Sequence, residues 1–495
     1  MTVRDIAASP ARVERTTGSP YPLLTGLAVL LVSWILLVPP FGGADEFDHA
    51  YRAAATARGQ WFTTPSDATR GTGAWLHVPR DIVDAARPEC QARVYTTASD
   101  CVGTREGDAV RIASGAGRYH PLYYALVGTV ALPFHGTAAL YVMRLATAAL
   151  ALALVALALG ALRTWARSRI ALLGPVVVCT PVVVYSCSIV SPNGVEMAAG
   201  LAFWAAAVGL LVADAHDVRR LSVIAAVSGA TLCTLRPMGP LWCLLAAVVT
   251  LLAVRSEPGR VRLLIRRHDV QVSGAVVAVS AIQSVAWTVA MGALELSKVS
   301  DPVHTSVAHR AGEIAPLVPL WVLQSVAAFP MRDDATNPAV YFCYLLLFGA
   351  LMVTALRCAD RRIRVGIATV VVVTLVLPFV TSVSSYDELG AAWQGRYALP
   401  FALGMAVLAG FALDRAGRTL PGPWPVLAGV LFVTAQVVAA AYTLHVEIGR
   451  SPLVDSAAWL RPPMWLLVVL TAVGAVLLWW GDAVPRLLGR GEART

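Results

Sequence analysis

Apolar runs of roughly twenty residues recur along the chain, the first at 21–41 and the last ending at Trp480, and a helix of about that length crosses a bilayer. No water-soluble fold hides so many continuous apolar segments. Charged residues make up only 14% of the 495 residues, against about a quarter in a soluble domain. The chain therefore reads as an all-α, polytopic integral membrane protein, and a soluble enzyme is excluded. Its net charge of +9 could suggest nucleic acid, but the basic residues are interleaved between apolar runs, so no nucleic-acid partner is expected.

The run at 21–41 follows a tail with Arg4, Arg12 and Arg15 and ends without a small-residue cleavage site, which predicts a retained signal anchor. Eleven further spans are expected at 139–162, 170–188, 195–213, 221–236, 238–254, 270–293, 339–356, 365–383, 397–413, 424–443 and 464–480, making about twelve. Two stretches, 120–134 and 316–329, are too short to cross and read as re-entrant or interfacial helices. With those two not crossing, every Arg-rich short loop falls on one side: 22 Arg and 10 acids, or +12, against −3 for the remainder. By the positive-inside rule that side, with both termini, is cytoplasmic. The expected division is a tail (1–20), a transmembrane core (21–413), C-terminal helices (414–480) and a second tail (481–495).

One large loop, 42–119, then lies outside, and its Trp61, Phe62, Trp75 and Tyr95 suggest order. Cys90 and Cys101 are its only thiols, and in an oxidising compartment they are expected to pair. The loop opens on Asp45, Glu46, Asp48, His49 and Arg52, and in a helix starting at Asp45 one face carries Asp45, Asp48 or His49, and Arg52, while Phe47 and Tyr51 share another. That pattern predicts an amphipathic helix on the outer leaflet. Asp45 could simply cap it, with Glu46 and Asp48 at its positive end, or the acids and His49 could hold a divalent metal, although no partner ligands can be named. A second group, Arg144, Arg236 and Arg396, stands at outer span ends, where a cation either snorkels or serves function. With His120 and His49 they could converge on one phosphate.

The order Asp-Glu-x-x-His at Asp45–His49, His-Pro-Leu-Tyr-Tyr from His120, Met-Arg-Leu around Arg144, Ser-Pro-Asn ending at Asn193, and Gln-Gly-Arg-Tyr ending at Tyr397 resembles a family of bacterial multi-pass proteins. That family is similar to the GT-C superfamily of membrane glycosyltransferases. The resemblance covers about residues 25–410 and departs at Asn193, where an Asp is usual, at Arg236, where a Lys is usual, and at the single Pro121. It implies residence in the bacterial cytoplasmic membrane, among membrane lipid, and transfer of a sugar from a polyprenyl-phosphate carrier to a cell-envelope glycan, lipid or protein acceptor. Transfer would be inverting and on the outer face, with interfacial helices in the loop 42–119 shaping the site. Asp45, then Glu46, would be the base; Arg144, Arg236, Arg396 and His120 would hold the donor phosphate; Asp48, His49 and Arg52 would support them; Trp393 and Trp61 could stack on sugar. The resemblance fixes no cofactor, and a divalent metal is allowed. Rival readings are a lipid or glycan flippase, suggested by Pro175, Pro181 and the Arg236-Pro237 break, and a noncatalytic assembly subunit.

Overall fold

The computed structural model describes residues 20–65, 73–93, 96, 98–294, 305–329, 335–417 and 423–481. Both tails, with their arginines, and Tyr95 lie outside the described residues. The fold is mainly helical. Every expected span is helical, but the count of twelve is not supported by length: among the described residues eight helices are long and apolar enough to cross a membrane, or nine if one bent pair is a single span. Three others, Tyr21–Leu37, Gly239–Ala253 and Met464–Trp480, are apolar but shorter, at 17, 15 and 17 residues. The two short stretches form the helices Pro121–Ala131 and Leu317–Gln324.

Local chemistry sets several of the boundaries. Tyr21–Leu37 stops before Pro39-Pro40, because a residue preceding proline is driven out of the helical region and Val38 is extended. The expected span 170–188 is broken into Arg169–Val177 and Pro181–Ser188, bent by 70°. Pro181 starts the second half because it has no amide to give to a preceding turn. The groups freed by the break find partners elsewhere: the Val182 amide donates to the Val326 carbonyl at 3.0 Å, and the Cys179 carbonyl accepts from Gln436 Nε2 at 2.7 Å. A broken helix inside a membrane survives only when neighbours satisfy its backbone in this way.

Close packing between spans uses small residues. Tyr21–Leu37 crosses Met464–Trp480 at Gly26 and Gly474, where a Cβ on Gly26 would lie 2.4 Å from the Leu478 nitrogen, and Ser33 and Thr471 share a 2.7 Å hydrogen bond nearby. Gly26→Val is expected to lower stability by about 1–3 kcal/mol, because backbone rather than a flexible side chain blocks the added methyls. Thermal unfolding of the detergent-solubilised protein measures this, and an unchanged midpoint would place the crossing elsewhere.

The described residues of the loop 42–119 form regular structure and differ from a purely helical reading. It holds the helices Glu46–Ala57, Arg80–Gln91 and Ala98–Val102, and a four-stranded antiparallel sheet. The central strands, Ala74–Pro79 and Ala109–Ser114, pair Ala74 with Ser114 through Pro79 with Ala109. Cys90 and Cys101 are joined, with Cα atoms 5.6 Å apart, tying Arg80–Gln91 to the short helix after it. Arg93 anchors this region to the end of the first span by donating to the Gly42 carbonyl at 2.7 Å, and Glu89 bonds Ser451 beside the C-terminal helices.

The helix Glu46–Ala57 does not lie on a leaflet as an amphipathic surface helix. All residues from Glu46 to Thr56 are buried, held between the sheet and Pro121–Ala131. The alanines explain the difference. Ala53, Ala54 and Ala55 present so little bulk that Pro121–Ala131 comes into backbone contact, and a Cβ on Gly128 would sit 2.1 Å from the Ala53 oxygen.

Candidate functional site

Glu46 and Arg144 meet with both side chains fully buried. The guanidinium holds the carboxylate in a fork, Nε to Oε1 at 2.8 Å and Nη2 to Oε2 at 2.6 Å. Its other N–H groups donate to the carbonyls of Ile35, Val38 and Pro39, the oxygens left open where the first span ends. All five donors of Arg144 are thus consumed. The carboxylate also accepts from the amides of Gly43 and Val190. Neither group is left to meet a substrate, so the phosphate contact expected of Arg144 and the base role offered to Glu46 are both displaced by this structural junction.

Asp45, one residue earlier, is placed differently. It sits in the left-handed region at φ 55°, and its side chain makes no capping bond, so the simple capping reading fails. Phe41 is left-handed too, at φ 62°. Asp tolerates this conformation better than most residues, but it still costs free energy that the surroundings must offset. Tyr185 helps, its hydroxyl accepting from the Ala44 amide at 2.8 Å. The twist leaves the Asp45 carboxylate 44% exposed, 3.8 Å from Arg396 Nη2.

Arg396 is buried and its Nε has no hydrogen-bond partner. Its position depends on a distant segment. Gly395 packs so tightly on the helix Leu317–Gln324 that a Cβ would lie 1.9 Å from the Trp321 carbonyl, and its amide donates to Gln324 Oε1 at 2.7 Å. The short helix in 316–329 therefore seats the arginine. Beside it the buried Gln394 Oε1 and Trp393 Nε1 also lack partners, and Trp393 stands edge-on to Tyr397 at 5.7 Å.

Arg236 completes the cluster. Because it precedes Pro237 it is extended, at φ −146°, ψ 157°, and leaves the helix Val218–Leu235. Its guanidinium lies 4.2 Å from the Tyr397 ring centre and 5.7 Å from that of Tyr119, and it donates to Asn193 Oδ1. Ser191-Pro192 starts the preceding helix, Pro192–Val212, with the serine as cap, so Asn193 falls in its first turn. Glu196 is buried one turn further on and attracts the same cation.

His49 is buried with Nδ1 2.8 Å from the Tyr124 hydroxyl. Burial drives its pKa down to about 3; Asp45 opposes the shift, and Arg236 and Arg396 add to it. The ring is neutral in the fold, whereas the unfolded chain takes up a proton near pH 6.5. The stability this group contributes is complete above pH 6.5 and is lost progressively as pH falls toward about 3. His49→Gln is expected to flatten the acid side of the melting-temperature profile, and an unchanged slope between pH 7 and 4 would deny that His49 carries it.

The other expected residues are placed elsewhere. Arg52 is fully buried and clamps the loop, donating to the carbonyls of Gln60, Trp61 and Tyr119. It orients no carboxylate. Asp48 accepts from the Gly115 amide at 2.9 Å and fastens the sheet. His120 pairs with Gln283 at 2.9 Å and packs against Trp287, at the rim of a narrow cleft that also meets Tyr119 and Arg236. Trp61 is 43% exposed, and its backbone carbonyl accepts from Arg52. The acidic run is thus split among separate partners, and among the described residues three convergent ligands occur only at Asp214, His216 and Asp217.

Sequence reasoning missed Tyr119, Tyr124, Glu196 and Tyr397. Glu196 carried a usable signal, an acid inside an otherwise uncharged span. Tyr119 and Tyr397 adjoin His120 and Arg396, and Tyr124 lies in the motif that opens on His120, but nothing in the chain order shows that Tyr119 and Tyr397 flank Arg236 or that Tyr124 meets His49.

Two solved structures are similar to this chain, both of ArnT from Cupriavidus metallidurans. The apo crystal structure has 15% identity and a TM-score of 0.46, covering 93% of this chain and 75% of that one. The crystal structure bound to undecaprenyl phosphate has 16% identity and a TM-score of 0.46, covering 96% and 80%. No curated protein matches. A family model described as a predicted membrane protein, DUF2142, matches residues 27–405, most of the chain, and the protein belongs to that family.

Proposed function

We propose that the protein is a membrane glycosyltransferase that moves a sugar from a polyprenyl-phosphate donor to a cell-envelope hydroxyl, with inversion, at the extracytoplasmic face. The observation that carries this reading is the pairing of Asp45, a carboxylate still open to a ligand, with Arg396, a buried cation whose Nε is unpartnered. The acceptor oxygen bonds to the anomeric carbon as the bond to the phosphate oxygen breaks. The acceptor proton passes to Asp45, and the lipid phosphate leaves with its electron pair. Charge grows on the phosphate during the step, so fixed guanidinium groups stabilise the transition state more than the ground state. Arg396 serves this role first and Arg236 second, with His120 near the rim. The Gln-Gly-Arg-Tyr and Asp-Glu-x-x-His resemblance supports the same donor class.

The test is transfer from a radiolabelled polyprenyl-phosphate sugar by the purified chain. Arg396→Gln is expected to lower the rate roughly 100-fold, the size of effect seen when one donor to a developing anion is removed. A second reading, a lipid flippase, is favoured by the 70° break at Pro181, since discontinuous helices suit transport. Movement of a labelled lipid across vesicles without sugar transfer would select it.

A further inference from the structure

The geometry points to an anionic-phospholipid site at the membrane boundary opposite the candidate active site. The helix Val218–Leu235 has 18 residues and spans about 27 Å. Arg236 follows one end of it, whereas Arg219 and Arg220 stand at the other. There a cavity of about 490 Å³ opens between this helix and Gly136–Trp165.

The cavity has two kinds of wall. Arg219, Arg220 and His216 form a cationic rim, and Ala156, Leu157, Val223 and Ile224 form an apolar side. Val223 and Val227 are 53% and 46% exposed, so the apolar strip continues along the helix toward the bilayer interior. Gly160 makes the rim fit: a Cβ there would lie 3.0 Å from Arg220 Nη2, so the missing side chain lets the guanidinium rest against the neighbouring helix. Neither arginine has an ion-pair or hydrogen-bond partner among the described residues. Asp214 and Asp217 occupy the same turn, but they gather on His216, with Asp217 3.4 Å from its ring, and neither lines the cavity.

Two unpaired guanidinium groups above a strip of apolar side chains match a phosphodiester joined to an acyl chain. Arg forks suit phosphate oxygens, and basic pockets between membrane helices take such headgroups. A soluble anion would leave the apolar wall unused, so the occupant is a phospholipid of that leaflet. The site does not depend on the glycosyltransferase reading.

The full chain, purified in detergent, is titrated with phosphatidylglycerol, phosphatidylcholine or glycerol 3-phosphate and followed by native mass spectrometry. Phosphatidylglycerol is expected to be retained in preference to phosphatidylcholine, with glycerol 3-phosphate failing to displace it. The double variant Arg219→Gln, Arg220→Gln is expected to bind phosphatidylglycerol about tenfold more weakly. Arg219→Lys with Arg220→Lys keeps the preference in part, and Gly160→Leu, which fills the cavity without altering charge, also lowers retention. Equal retention of the two lipids, unchanged retention in the Gln double variant, or displacement by glycerol 3-phosphate would overturn the proposal.

Discussion

Asp45→Asn is expected to lower sugar transfer by roughly 100- to 10,000-fold, the range over which a positioned general base acts, while leaving the melting temperature near that of the parent. The substitution keeps the shape and the left-handed backbone, which Asn also tolerates, and removes only the ability to take a proton. Asp45 makes no capping bond and lies 3.8 Å from Arg396, so little stability depends on its charge. Donor retention should also change little, because Arg396 and Arg236 are untouched. A variant with full activity would remove Asp45 as base. A variant that loses activity and stability together would show a structural role instead.

Arg144→Met carries the largest expected effect on folding, a loss of about 3–5 kcal/mol, as when one partner of a buried ion pair is removed. The change strands the fully buried Glu46 carboxylate and leaves the carbonyls of Ile35, Val38 and Pro39 without donors. Adding Glu46→Leu should restore part of the loss, since the uncompensated charge disappears while the carbonyls stay orphaned. Thermal unfolding with folded yield from membranes measures both, and a single variant as stable as the parent would refute the junction. The two predictions separate neighbouring acids in sequence: position 45 governs rate, position 46 governs folding.

That separation was not legible in the chain order. Lipid tolerates only apolar, internally bonded segments, so the spans and the short stretches around 120–134 and 316–329 stand out in the sequence. Arg236 and Arg396 stand out for the related reason that a cation at a span end is conspicuous. Arg144 looks equivalent to them, because what distinguishes it is a carboxylate 98 residues away. The strands Ala74–Pro79 and Ala109–Ser114 escape notice because six residues are a short run beside twenty apolar ones, and the second does not alternate throughout. The helix at Glu46 reads as a surface element because alanine counts as neutral in an amphipathic pattern, whereas in the fold it permits backbone contact with Pro121–Ala131.

The Glu46–Arg144 junction also has a history within each molecule's synthesis. Glu46 leaves the ribosome 98 residues ahead of Arg144 and 144 ahead of the Val190 amide that completes its shell. At bacterial or eukaryotic elongation speeds of about 5–20 residues per second, the acid waits some 5–20 s for its cation. Throughout that interval the carbonyls of Ile35, Val38 and Pro39 lack the guanidinium that serves them in the fold. The junction that closes the first helix can therefore form only after the helix carrying Arg144 has been made, so the start of the large loop reaches its buried place late.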